Sequence, residues 1–80
     1  MVARFSKSAV KAINLMEINE RKRIKSAIDR LPAGDVKSLK GANGSYRLRV
    51  GDRRIIFSYE ADGTVLVAKI GPRGDVYKGG

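Results

Sequence analysis

The run Ser45-Tyr46-Arg47-Leu48-Arg49-Val50-Gly51-Asp52-Arg53-Arg54-Ile55-Ile56-Phe57-Ser58-Tyr59 decides how this chain folds. In its first six residues Tyr46, Leu48 and Val50 alternate with Ser45, Arg47 and Arg49, the period of a half-buried strand. Gly51-Asp52 is a two-residue turn signal, so the chain doubles back into a second strand from Arg53 to Tyr59. With those two residues as the loop, Val50 pairs with Arg53 and Arg49 with Arg54. Because side chains alternate, Tyr46, Leu48, Val50, Ile55, Phe57 and Tyr59 share a core face, which Arg53 joins only at its turn end. Arg47, Arg49 and Arg54 gather on the opposite face. A slip of one residue would scatter them.

Toward the C-terminus, Ala61-Asp62-Gly63 marks a second turn leading into a strand from Thr64 to Ile70. Gly71-Pro72-Arg73-Gly74 is expected to break that strand, and Asp75 to Tyr77 is long enough for a last short one. Toward the N-terminus the period is helical. Ser6 can cap a helix that carries Ala9, Val10, Ile13 and Met16 on one side. Asn19 can cap a second, in which Ile24, Ala27, Ile28 and Leu31 recur at helical spacing before Pro32 and Gly34 stop it. Val2 to Phe5 has room for a leading strand. The expected architecture is α+β: two N-terminal helices packed on one face of a small, mainly antiparallel sheet of about four strands.

Eighty residues make one domain, spanning 1–80, with no internal repeat. The chain has neither cysteine nor histidine. Their absence removes disulfides, the usual zinc sites, thiol nucleophiles and serine–histidine triads, so no metal or cofactor is expected. Acid–base work falls to Tyr, Lys, Arg, Asp or Glu. Seventeen basic residues against eight acidic ones give a net charge of +9, which favours a polyanionic partner. The N-terminus carries no apolar stretch resembling a signal peptide, so a cytoplasmic protein without membrane association is expected.

Arginines on a strand often do no more than solubilise it or discourage edge pairing. Two arginines directly opposite each other, however, repel by roughly 0.2–1 kcal/mol. Three guanidiniums converging on one face suit a phosphate-rich ligand, since each can grip two phosphate oxygens. Arg73 sits in a glycine-flanked loop that allows close approach to a ligand or simply makes a turn. Tyr77 alone reads equally as packing.

Phe5-Ser6-Lys7-Ser8-Ala9, Leu39-Lys40-Gly41, Tyr46-Arg47-Leu48-Arg49-Val50, Arg54-Ile55-Ile56-Phe57 and Ile70-Gly71-Pro72-Arg73 with Asp75-Val76-Tyr77 follow one another in the order of the RelE/ParE toxin superfamily. The chain resembles the RelE branch over nearly its whole length. The resemblance implies a type II toxin that enters the ribosomal A site, cleaves the mRNA codon there, and is silenced by a cognate acidic antitoxin. The family's functional positions fall on Arg47, Arg49, Arg54, Arg73 and Tyr77, the first three of which the hairpin register gathers independently. Many relatives carry lysine at the positions of Arg47 and Arg49, several place His or Lys where this chain has Pro72, and some continue into a C-terminal helix. Arginine cannot act as a base, its pKa lying above about 12. The resemblance therefore casts Arg47, Arg49 and Arg54 as phosphate holders, Tyr77 as base and Arg73 as stabiliser of the leaving oxygen. The competing readings are a ParE-like inhibitor of gyrase, a non-catalytic RNA-binding module and an inactive toxin.

Overall fold

The computed structural model describes residues 3–39 and 44–72. In chain order its elements are β1 (Ala3–Phe5), α1 (Lys7–Asn14), α2 (Ile18–Asp29), β2 (Asp35–Ser38), β3 (Ser45–Val50), β4 (Arg53–Tyr59) and β5 (Val65–Pro72). The strands form one sheet in the order β1-β5-β4-β3-β2. Every neighbouring pair is antiparallel except β1 and β5. The α+β architecture is as the sequence implies, with five strands in place of about four.

The β3–β4 hairpin has the expected register, Val50 opposite Arg53 and Arg49 opposite Arg54. Gly51 opens the turn with a φ of +58°. That left-handed conformation is open to glycine at little steric cost, and it matches the strand twist. Apolar side chains from α1, α2 and the loops after them (Ala9, Met16, Ile24, Ala27, Ile28 and Leu31) are buried with Leu48, Ile55, Phe57, Val65, Val67 and Ile70 of the sheet. Fully burying one such large side chain contributes about 1.5–3 kcal/mol. Both helices therefore lie on the sheet face that carries Leu48, Ile55 and Phe57.

Several local expectations are corrected. Ser6 does cap α1, its Oγ accepting from the Ala9 N–H at 3.1 Å, but Val10 faces outward and is 44% exposed. The cap of α2 is Glu17, not Asn19, with no side-chain hydrogen bond. The strand after the second turn does not break at Gly71: β5 continues through Pro72, pairing Gly71 with Arg54 and Pro72 with Arg53. β1 flanks only Val65 to Val67, so among the described residues β5 has a single neighbouring strand at Pro72 and the missing N–H need not interrupt a ladder. β2 is a strand that the sequence reading left out. The short strand expected over 75–77 lies outside the described residues.

Arg53 turns to the helix face, as its register requires, and meets α2 there. Its Nε and Nη2 donate to the two carboxylate oxygens of Glu20 at 2.8 and 3.2 Å. This hydrogen bonding holds the Glu20 carboxyl below its ordinary range, against an opposing effect of desolvation and with help from the charges of Arg53 and Arg23. A depressed carboxyl stabilises the fold above the unfolded-state value, about 4.3, and that contribution fades as pH falls through the folded-state value. The thermal midpoint of the parent should accordingly drop further between about pH 5 and pH 3 than that of Glu20→Gln. Parallel curves would show that the pair contributes nothing. The effect is small, because both partners are partly in water.

Candidate functional site

Neither helix covers the other sheet face, where register places Arg47, Arg49 and Arg54. β2 adds Asp35 opposite Arg49 and Lys37 opposite Arg47. β5 adds Lys69 opposite Ile56. Among the described residues of β2 to β5, this face thus carries five cations against one carboxylate.

That carboxylate makes a choice. Asp35 stands directly across from Arg49, yet its Oδ1 accepts from the diagonal neighbour, Arg47 Nη2, at 3.1 Å. Arg49 is left exposed, with no side-chain hydrogen bond or ion pair among the described residues, beside the like charge of Arg54. Arg54 is half-buried and its side chain is engaged. Arg47 is 6% exposed. Its Nε is buried and has no acceptor among the described residues. A buried donor left unmatched costs about 1–3 kcal/mol, a reason to look for a ligand or a strained functional state there.

The structure therefore brings together the three arginines that the hairpin gathers, and it grades them: Arg47 buried and ion-paired, Arg54 half-buried, Arg49 free in solvent. Arg73 and Tyr77 lie outside the described residues. Asp35, Lys37 and Lys69 are the members of the face that the sequence reading missed. For Asp35 and Lys37 the signal was faint, a charge on either side of Val36 in a four-residue segment. Chemically, the face presents fixed positive charge to a ligand with several anionic oxygens, and guanidiniums offer paired donors that match phosphate.

No protein-family model and no curated protein sequence matches the chain. Among solved structures it is similar to a chain of the RelB–RelE antitoxin–toxin complex of Methanococcus jannaschii. The identity there is 30% and the TM-score 0.75, with 92% of this chain and 94% of that one covered. The archaeal RelE–RelB complex of Pyrococcus horikoshii OT3 gives 27% identity and a TM-score of 0.75 over 92% and 96% of the two chains. The RelBE2 toxin–antitoxin complex of Mycobacterium tuberculosis, at 16% identity and a TM-score of 0.65 over 90% and 96%, shares the fold. Matched along more than nine-tenths of both chains at 30% identity, and carrying the arginine-faced hairpin in the expected register, the protein belongs to the RelE family of toxins.

Proposed function

We propose that the protein is the toxin of a type II toxin–antitoxin pair and cleaves mRNA on the ribosome, in the A site. The observation that carries this reading is the Arg49–Arg54 pair, two like charges placed opposite each other with Arg47 on the same face. Stability alone gives no reason for that placement. A phosphodiester does.

In the reaction, the 2′-oxygen bonds to the adjacent phosphorus and the bond to the 5′-oxygen breaks, leaving a cyclic phosphate and a 5′-hydroxyl. Arg47, Arg49 and Arg54 hold the phosphate and offset the second negative charge of the phosphorane. Tyr77 serves as the base that takes the 2′ proton, a weak one, since an ordinary phenol titrates at about 10. Arg73 stabilises charge on the departing 5′-oxygen, which takes its proton from water to become the 5′-hydroxyl. So weak a base makes a poor nuclease on free RNA. The ribosome must supply aligned substrate, an advantage that reaches about 7–11 kcal/mol in well-oriented systems. The partner that restrains this activity is an acidic antitoxin, drawn to a chain of net charge +9.

In vitro translation of a defined mRNA with the purified protein, followed by primer extension, tests the reading. The expected result is a set of codon-phased 5′ ends that appear only with ribosomes present. Intact mRNA with poisoned gyrase would overturn it in favour of a ParE-like inhibitor, and intact mRNA with RNA binding alone in favour of a non-catalytic module.

A further inference from the structure

The side of α1 turned away from the core carries apolar residues of its own. Lys7, Val10, Lys11, Asn14 and Leu15 recur at i, i+3, i+4, i+7 and i+8, one stripe of a helix. With Phe5 at the end of β1 they line a shallow groove of about 400 Å³. Leu15 is 82% exposed, Val10 44% and Phe5 37%. Other residues hold α1 to the sheet: Ala9 is buried, and Ala12 and Ile13 pack against the core. Val10, which helical spacing assigns to the core, thus belongs to a second apolar surface. One exposed apolar side chain needs no explanation, but three gathered in one groove mark a place where something docks.

Charge and backbone geometry say what kind of partner fits. The groove carries Lys7 and Lys11 and no carboxylate. Neither lysine has a side-chain hydrogen bond or ion pair among the described residues. A second copy docked through the same patch would set lysine against lysine across two bodies of net charge +9. An acidic partner gains where a second copy loses. Five of the six lining residues belong to α1 or its C-cap. The backbone groups of a helix run along its axis, so an occupant meets side chains and no ladder of hydrogen bonds. It must satisfy its own backbone, as an α-helix does and an extended strand does not.

We infer that this groove docks an amphipathic, acidic α-helix of the antitoxin. Apolar side chains of that helix fill the space between Phe5, Val10 and Leu15, and its carboxylates meet Lys7 and Lys11. The inference rests on the toxin–antitoxin reading above and deepens it by giving the antitoxin an anchor. The groove lies beside β1, at one edge of the sheet, whereas Arg47, Arg49 and Arg54 stand on β3 and β4, on the face that no helix covers. A helix in the groove leaves that face open, so anchoring and inhibition are separable.

The probe is a synthetic peptide of about 16 residues, with leucines at i, i+3, i+4 and i+7 flanked by glutamates, followed by fluorescence anisotropy. It should bind at least about tenfold more tightly than a scrambled peptide of the same composition, which keeps the charge and loses the stripe. Val10→Ser/Leu15→Ser should weaken binding about tenfold or more. Lys7→Glu/Lys11→Glu should do the same. Lys22→Glu/Lys25→Glu makes an equal charge change at exposed positions of α2 outside the groove. It should cost less than about threefold at physiological salt, where exposed charges more than about 8 Å apart are largely screened. In amide NMR of labelled protein, the shifts caused by the peptide should centre on Phe5, Val10 and Leu15. Circular dichroism confirms folding, and Leu15→Ser alone, at the most exposed position, replaces the serine pair if that pair unfolds.

Shifts centred on Arg49 and Arg54 would overturn the proposal by placing the acidic helix on the phosphate face. Equal losses in the two lysine pairs, or equal binding of the scrambled peptide, would reduce the groove to bulk charge. A dimer that Val10→Ser/Leu15→Ser dissolves would assign the groove to a second copy, and binding to phosphatidylserine vesicles that the same variant loses would assign it to a membrane. The serine pair should cut mRNA on ribosomes at the parental rate. If the parent cuts mRNA but the peptide ignores the groove, the anchor fails and the cleavage reading stands. If the groove takes the peptide in a protein that cuts nothing, the cleavage reading fails and the anchor stands.

Discussion

Replacing Arg54 with alanine should slow single-turnover cleavage on mRNA-programmed ribosomes by about 10²–10³, the usual loss when one transition-state donor is removed. Arg53→Ala, one residue away and identical in charge change, should leave the rate within a few-fold of the parent. The two-residue turn produces this contrast. It sets Arg54 opposite Arg49 on the face away from the helices, and sends Arg53 to the helix side, where Glu20 binds it. The side chains of that pair are 30% and 37% exposed. Breaking it should therefore show only as a slightly lower thermal midpoint and not as lost chemistry. Equal damage from the two substitutions would show that the arginine face is not where the phosphate binds. In the same assay Tyr77→Phe removes a hydroxyl and nothing else. Cleavage by Tyr77→Phe at the parental rate would eliminate the phenol as base.

The arginine face was legible because a two-residue turn pins the register of its strands, and register alone assigns each side chain to a face. Ile24, Ala27 and Ile28 were legible for a similar reason: helical spacing put them on one side, and that side is buried. β2 was not legible. Asp35-Val36-Lys37-Ser38 contains one apolar residue, only half-buried, so no alternation marks it as a strand. It exists because the edge of β3 offers backbone partners, a tertiary cause invisible along the chain. With β2 went the Asp35–Arg47 bond, and so the different states of three arginines that look equivalent in sequence. The start of α2 misled differently. Asn19 is a strong capping residue, but the helix begins earlier, at Ile18, whose side chain is 63% exposed and contributes nothing to the core.

Arg47→Met should leave the protein at least as stable as the parent while cleavage falls by about 10² or more. In the folded chain the Arg47 side chain is 7% exposed. It makes one bond to Asp35 at 3.1 Å, and its Nε has no acceptor among the described residues. Burying a guanidinium costs several kcal/mol, which a single hydrogen-bonded partner offsets poorly. Methionine has a similar unbranched reach and no polar atoms to desolvate. It would sit directly across from Ile56, an apolar neighbour in the ladder. Nor does the change strand a buried charge, since the Asp35 side chain is 52% exposed and water can take the place of Arg47. Replacing a whole buried ion pair by apolar residues is neutral or stabilising by about 1–4 kcal/mol, and here the one buried member is replaced while the exposed carboxylate returns to water. In a domain of this size each kcal/mol raises the thermal midpoint by roughly 4–8 °C. A midpoint that falls by several degrees would mean that the guanidinium is held for structure, and its place on the phosphate face would need another explanation. A stable variant that cuts at the parental rate would remove Arg47 from the site. Higher stability with lost cleavage, measured on one protein, would identify Arg47 as a charge kept buried at a cost to the fold because the phosphate requires it.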